Sequence, residues 1–184
     1  MSRSPLAFRI SLLALILGGL VLATACTPAP SEKELKAAIQ VVDVDTRWVS
    51  KEYRAWPPKL ILVPTLSFRV KNTSAKPLTY INFNAIFKFK DDEENLGDSF
   101  LPGIGSTPVL PGQLSPLIEM RSNFGVEGKS LASFKNNPMW KVVMVKLFTQ
   151  SRGSEHALLG TYTCSRKIDF QEPAPVNPPP PKKE

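Results

Sequence analysis

From Leu78 to Lys90 apolar and polar residues alternate. Ile81, Phe83, Ala85, Phe87 and Phe89 fall on one side, and Asn82, Asn84, Lys88 and Lys90 on the other, with Ile86 the exception. A period of two sends successive side chains to opposite faces of a strand, so this segment offers one face to a core and one to water. That is the pattern an antiparallel sheet requires.

Similar segments recur. Val42, Val44, Thr46 and Trp48 alternate with Asp43, Asp45, Arg47 and Val49 in a first strand, which Trp56-Pro57-Pro58 ends. Leu60 to Asn72 resumes the alternation, with Pro64 pointing to an edge or a bulge. Leu117 to Arg121, the apolar run inside Trp140 to Gln150, and Leu158 to Phe170 read as further strands. Thr73 to Pro77, the acidic Asp91 to Asn95 and Ser151 to Glu155 read as turns, Phe100 to Ser115 as a long Gly/Pro-rich loop, and Leu131 to Asn137 as a helical turn. Short strands separated by such punctuation predict a mainly β chain, a single antiparallel Ig-like β-sandwich of about seven strands over residues 39–170.

The N-terminus is different. Arg3 and Arg9 precede the uncharged run Ile10 to Ala25, which is shorter than a comfortable bilayer span and ends in the small residues Ala23, Thr24 and Ala25. With Cys26 directly after them, the segment resembles a bacterial lipoprotein signal, with Ala23 at the usual Leu position and Leu22 one step back. The resemblance implies cleavage before Cys26, a diacylglyceryl group on its thiol and anchoring in the cell envelope. Thr27, rather than Asp, follows the Cys, which in a diderm host implies the outer membrane. An ordinary cleaved signal or an uncleaved anchor is the alternative. Residues 26–38 then form a tether, in which Ser31 and Glu34 are spaced to cap a helical turn through Ala38. Residues 171–184, with six prolines, predict an extended, disordered tail.

Without residues 1–25 the chain keeps 21 basic and 16 acidic residues. The basic residues are scattered, with no block interleaved with aromatics, so nucleic acid is not an expected partner. If Cys26 carries lipid, Cys164 is left as a single thiol in a strand, expected to be a buried small hydrophobe.

Val70-Lys71-Asn72 followed by Pro77-Leu78 resembles the small bacterial Ig-like sandwiches called FxLYD domains. Phe87-Lys88-Phe89-Lys90-Asp91 resembles their name-giving motif, with Phe89 for Leu and Lys90 for Tyr, and Leu110-Pro111-Gly112-Gln113 resembles their Leu-Pro-Gly turn. The similarity covers roughly residues 60 to 122 and implies a binding or spacing module without catalytic residues.

Residues that suggest chemistry do not assemble a site. Gly128-Lys129-Ser130 lacks the upstream glycine of a phosphate loop, where Asn123 stands. His156 is the single histidine, too few for most zinc sites, and no nucleophile elbow accompanies it. Asp91 to Glu94 lacks the alternating acids of a calcium loop. Asn72-Thr73-Ser74 is formally a glycosylation acceptor but reads as a turn.

No catalytic residue, metal or cofactor is expected. Trp48, Tyr53 and Trp56 form the candidate partner surface, with core or edge packing as the alternative. The sequence therefore predicts a non-catalytic, lipid-anchored binding or accessory module for another envelope protein. A small-ligand or lipid carrier with a cavity between the sheets is the second expectation.

Overall fold

The computed structural model describes residues 29–92 and 94–173. Cys26, the rest of the signal segment and most of the proline-rich tail lie outside those residues. Two sheets make a mainly β sandwich. It begins earlier than the alternating pattern suggests. Helix α1 (Glu32–Ala38) carries the expected capping box: the Ser31 hydroxyl accepts from the Glu34 amide, and the Glu34 carboxylate accepts from the Ser31 amide at 2.7 Å. The Ser31 amide and then the Ser31 hydroxyl, both donating to the Glu34 carboxylate, lower its pKa from the ordinary value. Leu35 of α1 is buried in the core, so the helix belongs to the packed domain and not to a tether.

The first sheet is built on a long hairpin, β1 (Ile39–Arg54) and β2 (Lys59–Asn72). On the far side of β2 lie β5 (Ile118–Arg121) and β6 (Val126–Gly128). On the far side of β1 lies the two-residue β9 (Ile168–Asp169), which runs parallel. The second sheet has the order β4 (Asn95–Ile104), β3 (Ile81–Phe89), β7 (Val143–Ser151), β8 (Ala157–Cys164), all antiparallel. Helix α2 (Leu131–Phe134) lies between β6 and β7 and buries Phe134. The described strands thus number nine, against about seven expected, and one pair is parallel.

Each departure has a local cause. Val42, Val44, Thr46 and Trp48 do not share a face, because the β1–β2 register shifts between Val42 and Asp45, where Asp43 takes φ 53°. Val44 is left exposed and Trp48 is buried. Pro64 sits in the interior of β2, not at an edge. Its carbonyl accepts from the Ser122 amide on the β5/β6 side, and residues 122–125 interrupt that flank just there, so the missing N–H costs no ladder bond. Strand β4 falls partly in the expected loop. Gly97, Pro102 and Gly103 hide its alternation, and a proline is tolerated on the edge strand it forms. Gly103 is required there, since a Cβ would lie 2.4 Å from the Phe83 ring. The final expected strand divides, with Ser165 to Lys167 carrying the chain from β8 to the other sheet.

The core lies between the sheets. Leu60, Leu62, Leu66, Phe68 and Val70 of β2 face Ile81, Phe83, Ala85 and Phe87 of β3 and Val143, Val145 and Leu147 of β7. Phe68 meets Phe83 edge to face at 5.3 Å.

Two of the segments that carry the FxLYD resemblance meet at one end of this core. Asn72 is fully buried; its amide nitrogen donates to the carbonyls of Lys76 and Val109, both at 2.8 Å, and its oxygen accepts from Ser74. The Asn72 carbonyl accepts from Gly112, whose φ of 77° closes the Leu110–Gln113 turn. Such burial leaves no room for a glycan on Asn72. Asn72→Ala strands buried carbonyls and should cost about 2–4 kcal/mol, read as a lower urea midpoint at unchanged slope.

Candidate functional site

The three aromatics expected at a partner surface separate. Trp48 is 1% exposed and meets Trp140 edge to face at 5.9 Å, so the surface reading is wrong for it. The register shift in β1 turns it inward. Tyr53 is half-buried, with its ring 5.5 Å from Phe170. Trp56 alone stands out, 72% exposed in the turn between β1 and β2.

That turn occupies one end of the molecule. Sixteen residues of β1 separate it from α1, a rise of about 50 Å. Because β9 runs parallel to β1, the chain heads for the same end as it leaves the domain. Phe170 reaches Tyr53, and the Glu172 carboxylate accepts from the Leu131 amide at 3.0 Å. Exposed Phe124, with Lys51 over its ring at 5.8 Å, lies beside the same half of the hairpin. Trp56 and the exit to the proline-rich tail therefore share an end, opposite the one where Ala29 lies beside Gly153.

The outer face of the first sheet carries a charge cluster. Arg47 donates to Asp45 at 2.9 Å, to the Ser67 hydroxyl at 2.8 Å and to Glu119. Its Nε lies 3.2 Å from Asp169 without hydrogen-bond alignment, which makes that contact electrostatic. Burial alone would lower the Arg47 pKa; Asp45, then Glu119 and Asp169, raise it above the ordinary value and keep the guanidinium charged. The cluster joins β9, β1, β2 and β5, with Ser67 as its one hydroxyl and no histidine beside it. Its contacts tie these four strands together.

Other sequence candidates stay apart. His156 is exposed before β8. Gly128 to Ser130 leads into a helix of only four residues, too short to cradle phosphate. No group of three or more His, Cys, Asp or Glu residues among those described is placed to hold a metal. Among the described residues no helix is long and apolar enough to cross a membrane.

Sequence reasoning passed over one feature. A groove of about 180 Å³ lies between the end of β4 and the returning loop, lined by residues including Ile104, Pro108, Val109, Leu114 and Pro116. It is smaller than pockets that enclose drug-sized ligands. The uncharged run from Ser99 to Ile118 was the available signal.

No family model matches this chain, and no curated protein matches it. Among solved structures, the structural genomics target SoR45 is similar over 75% of this chain and 96% of its own, at 10% identity and a TM-score of 0.43. A protein assigned as ApaA from Bordetella pertussis is similar over 70% of this chain and 93% of its own, at 12% identity and a TM-score of 0.37. At these values the fold stands on the strand order and core described above.

Two outcomes are expected. Trp48→Ala should destabilise by about 3–5 kcal/mol, whereas Trp56→Ala should stay within about 0.5 kcal/mol of wild type by urea denaturation. Burial pushes the Cys164 thiol up to about 11, against an ordinary value near 9. The folded chain then holds the thiol proton where the unfolded chain has lost it, so this contribution to stability is complete below pH 9 and is lost as pH rises towards 11. A thiol reagent at pH 8 should leave Cys164 unmodified until denaturant is added.

Proposed function

We propose that this chain is a lipid-anchored bacterial envelope protein, held through Cys26, whose sandwich acts as a non-catalytic binding or accessory module for another envelope protein. The observation that carries this reading is the polarity of the fold. The N-terminal segment enters at one end, beside Gly153, while Trp56 and the start of the proline-rich tail lie at the other. A domain tethered at the first end presents the second outward.

The exposed Trp56, with Arg54 and Lys59 flanking the turn, has the composition of an interface anchor. The last described residues, Phe170 to Pro173, leave the domain at this same end. The lipobox-like Leu22 to Cys26 supports the anchor and the envelope location, and Thr27 supports the outer membrane in a diderm host. The FxLYD-like segments around Asn72 and Gly112 support a binding module over an enzyme. The interior is filled by side chains such as Phe68, Phe83, Phe87 and Leu147, each fully buried, which favours this reading over a carrier.

Cys26→Ala should move the chain out of the membrane fraction or leave it uncleaved. A cleaved Cys26→Ala chain retained in the membrane would overturn the anchor. For the partner, a photo-crosslinking residue placed at position 56 in intact cells should capture one abundant envelope protein. The same residue at Lys146, on the outer face of the second sheet, should not. Equal capture at both positions, or none at 56, would remove the distal end as the docking site.

A further inference from the structure

We infer that the end of the sandwich carrying the N-terminus is a membrane-seating face, with Leu110 and Leu114 lying in the head-group region of the leaflet that holds the anchor. This rests on the lipid-anchor reading and adds a second, non-covalent contact with the same bilayer.

The length of free chain sets the geometry. Because Leu35 is buried in the core, α1 is fixed to the domain and cannot act as a spacer. Only three residue steps separate Cys26 from Ala29, at most about 11 Å of extended chain. The head-group layer on each side of the hydrocarbon is itself about 5–8 Å deep. A domain whose Ala29 lies beside Gly153 is therefore held close against the bilayer at that end.

Continuous contacts lead from the anchor point to the two leucines. Gly153 follows Arg152, whose guanidinium lies 5.1 Å over the ring of Tyr80. The Tyr80 amide donates to the Gly105 carbonyl, and Leu78 exchanges two backbone bonds with Val109, next to Leu110. The Leu110–Gln113 turn is closed by its own hydrogen bond and bound to Asn72 through Gly112, so its shape is preset before any membrane contact.

The surface chemistry fits an interface. From Ser99 to Ile118 twenty consecutive residues carry no charge. Within that run Leu110 and Leu114 are 44% and 51% exposed, apolar surface the fold leaves uncovered. Tyr80, half exposed, is an interfacial residue by its amphipathic ring. Exposed Lys76 and Arg152 stand at the same end, where long stems allow their charges to reach phosphate depth. Trp56 is about a β1 length away, out of reach of the same leaflet.

The test uses the full chain, expressed with its signal segment and reconstituted into vesicles of phosphatidylethanolamine and phosphatidylglycerol. An environment-sensitive fluorophore is attached through Leu110→Cys or, as a second reporter, Leu114→Cys; Trp56→Cys is the control, and the buried Cys164 thiol leaves the reporter as the reactive site. Emission at 110 and 114 should shift to the blue on reconstitution and be quenched by lipids spin-labelled near the head group, with no change at 56. Mass spectrometry of the N-terminal peptide reads the anchor separately. A diacylglyceryl adduct on Cys26 with unshifted emission at 110 and 114, or with an equal shift at 56, overturns the seating and leaves the anchor. A cleaved chain without the adduct overturns the anchor and the seating together.

Discussion

The inner face of β2 is the surface on which the rest of the structure depends. Leu60, Leu62, Leu66, Phe68 and Val70 are all fully buried, and the same strand is bonded to β1 on one side and to β5 and β6 on the other. Through Phe68 it also meets the second sheet at Phe83. Each fully buried side chain of this size contributes about 1.5–3 kcal/mol over its exposed state, so no other element concentrates as much of the burial. The tolerance of Pro64 follows from this position. A proline within β2 survives because the neighbouring strand is interrupted beside it, and the apolar row continues past it unbroken.

The parts of the fold legible in the sequence were those where period two ran without interruption. Leu78 to Lys90 showed its faces directly, and the Ser31/Glu34 cap was readable from spacing alone. Where the chain changed parity, no local pattern marked the change. The shift near Asp43 reverses the faces of β1, so a pattern starting at Val42 misassigns either Val44 or Trp48. Strand β4 lacked the pattern because close packing on Phe83 demands Gly103 and edge position permits Pro102. The passage from β8 to β9 was hidden for the opposite reason. Tyr162, Cys164, Ile168 and Phe170 keep one alternation although the chain changes sheets between them.

Candidate sites were legible in kind and not in place. An exposed aromatic followed by two prolines was readable at Trp56, since a turn cannot bury so large a ring without neighbours. Trp48 has the same chemistry, and only its burial against Trp140, ninety-two positions away in the segment before β7, shows it to be core. Asn72 is the converse case. Its local sequence suggests a turn or a glycan acceptor, but its function is fixed by the Val109 carbonyl, which local pattern cannot supply.

The Arg47 cluster bears on function through direction. Strand β9 has two residues and two ladder pairs with β1, too little by itself to specify register. Half-exposed ion pairs contribute only about 0–1 kcal/mol each, so the cluster is not where the sandwich gains its stability. Its effect is on position. A slip of β9 by one residue would turn Asp169 to the inner face, away from Arg47, and bring Ile168 out. Arg47, held by Asp45 and Glu119 from either side, thus favours one register. That register carries Phe170 to Tyr53 and Glu172 to Leu131, and so brings the chain out at the end that carries Trp56. Through this register the Arg47 cluster sets where the chain leaves the domain.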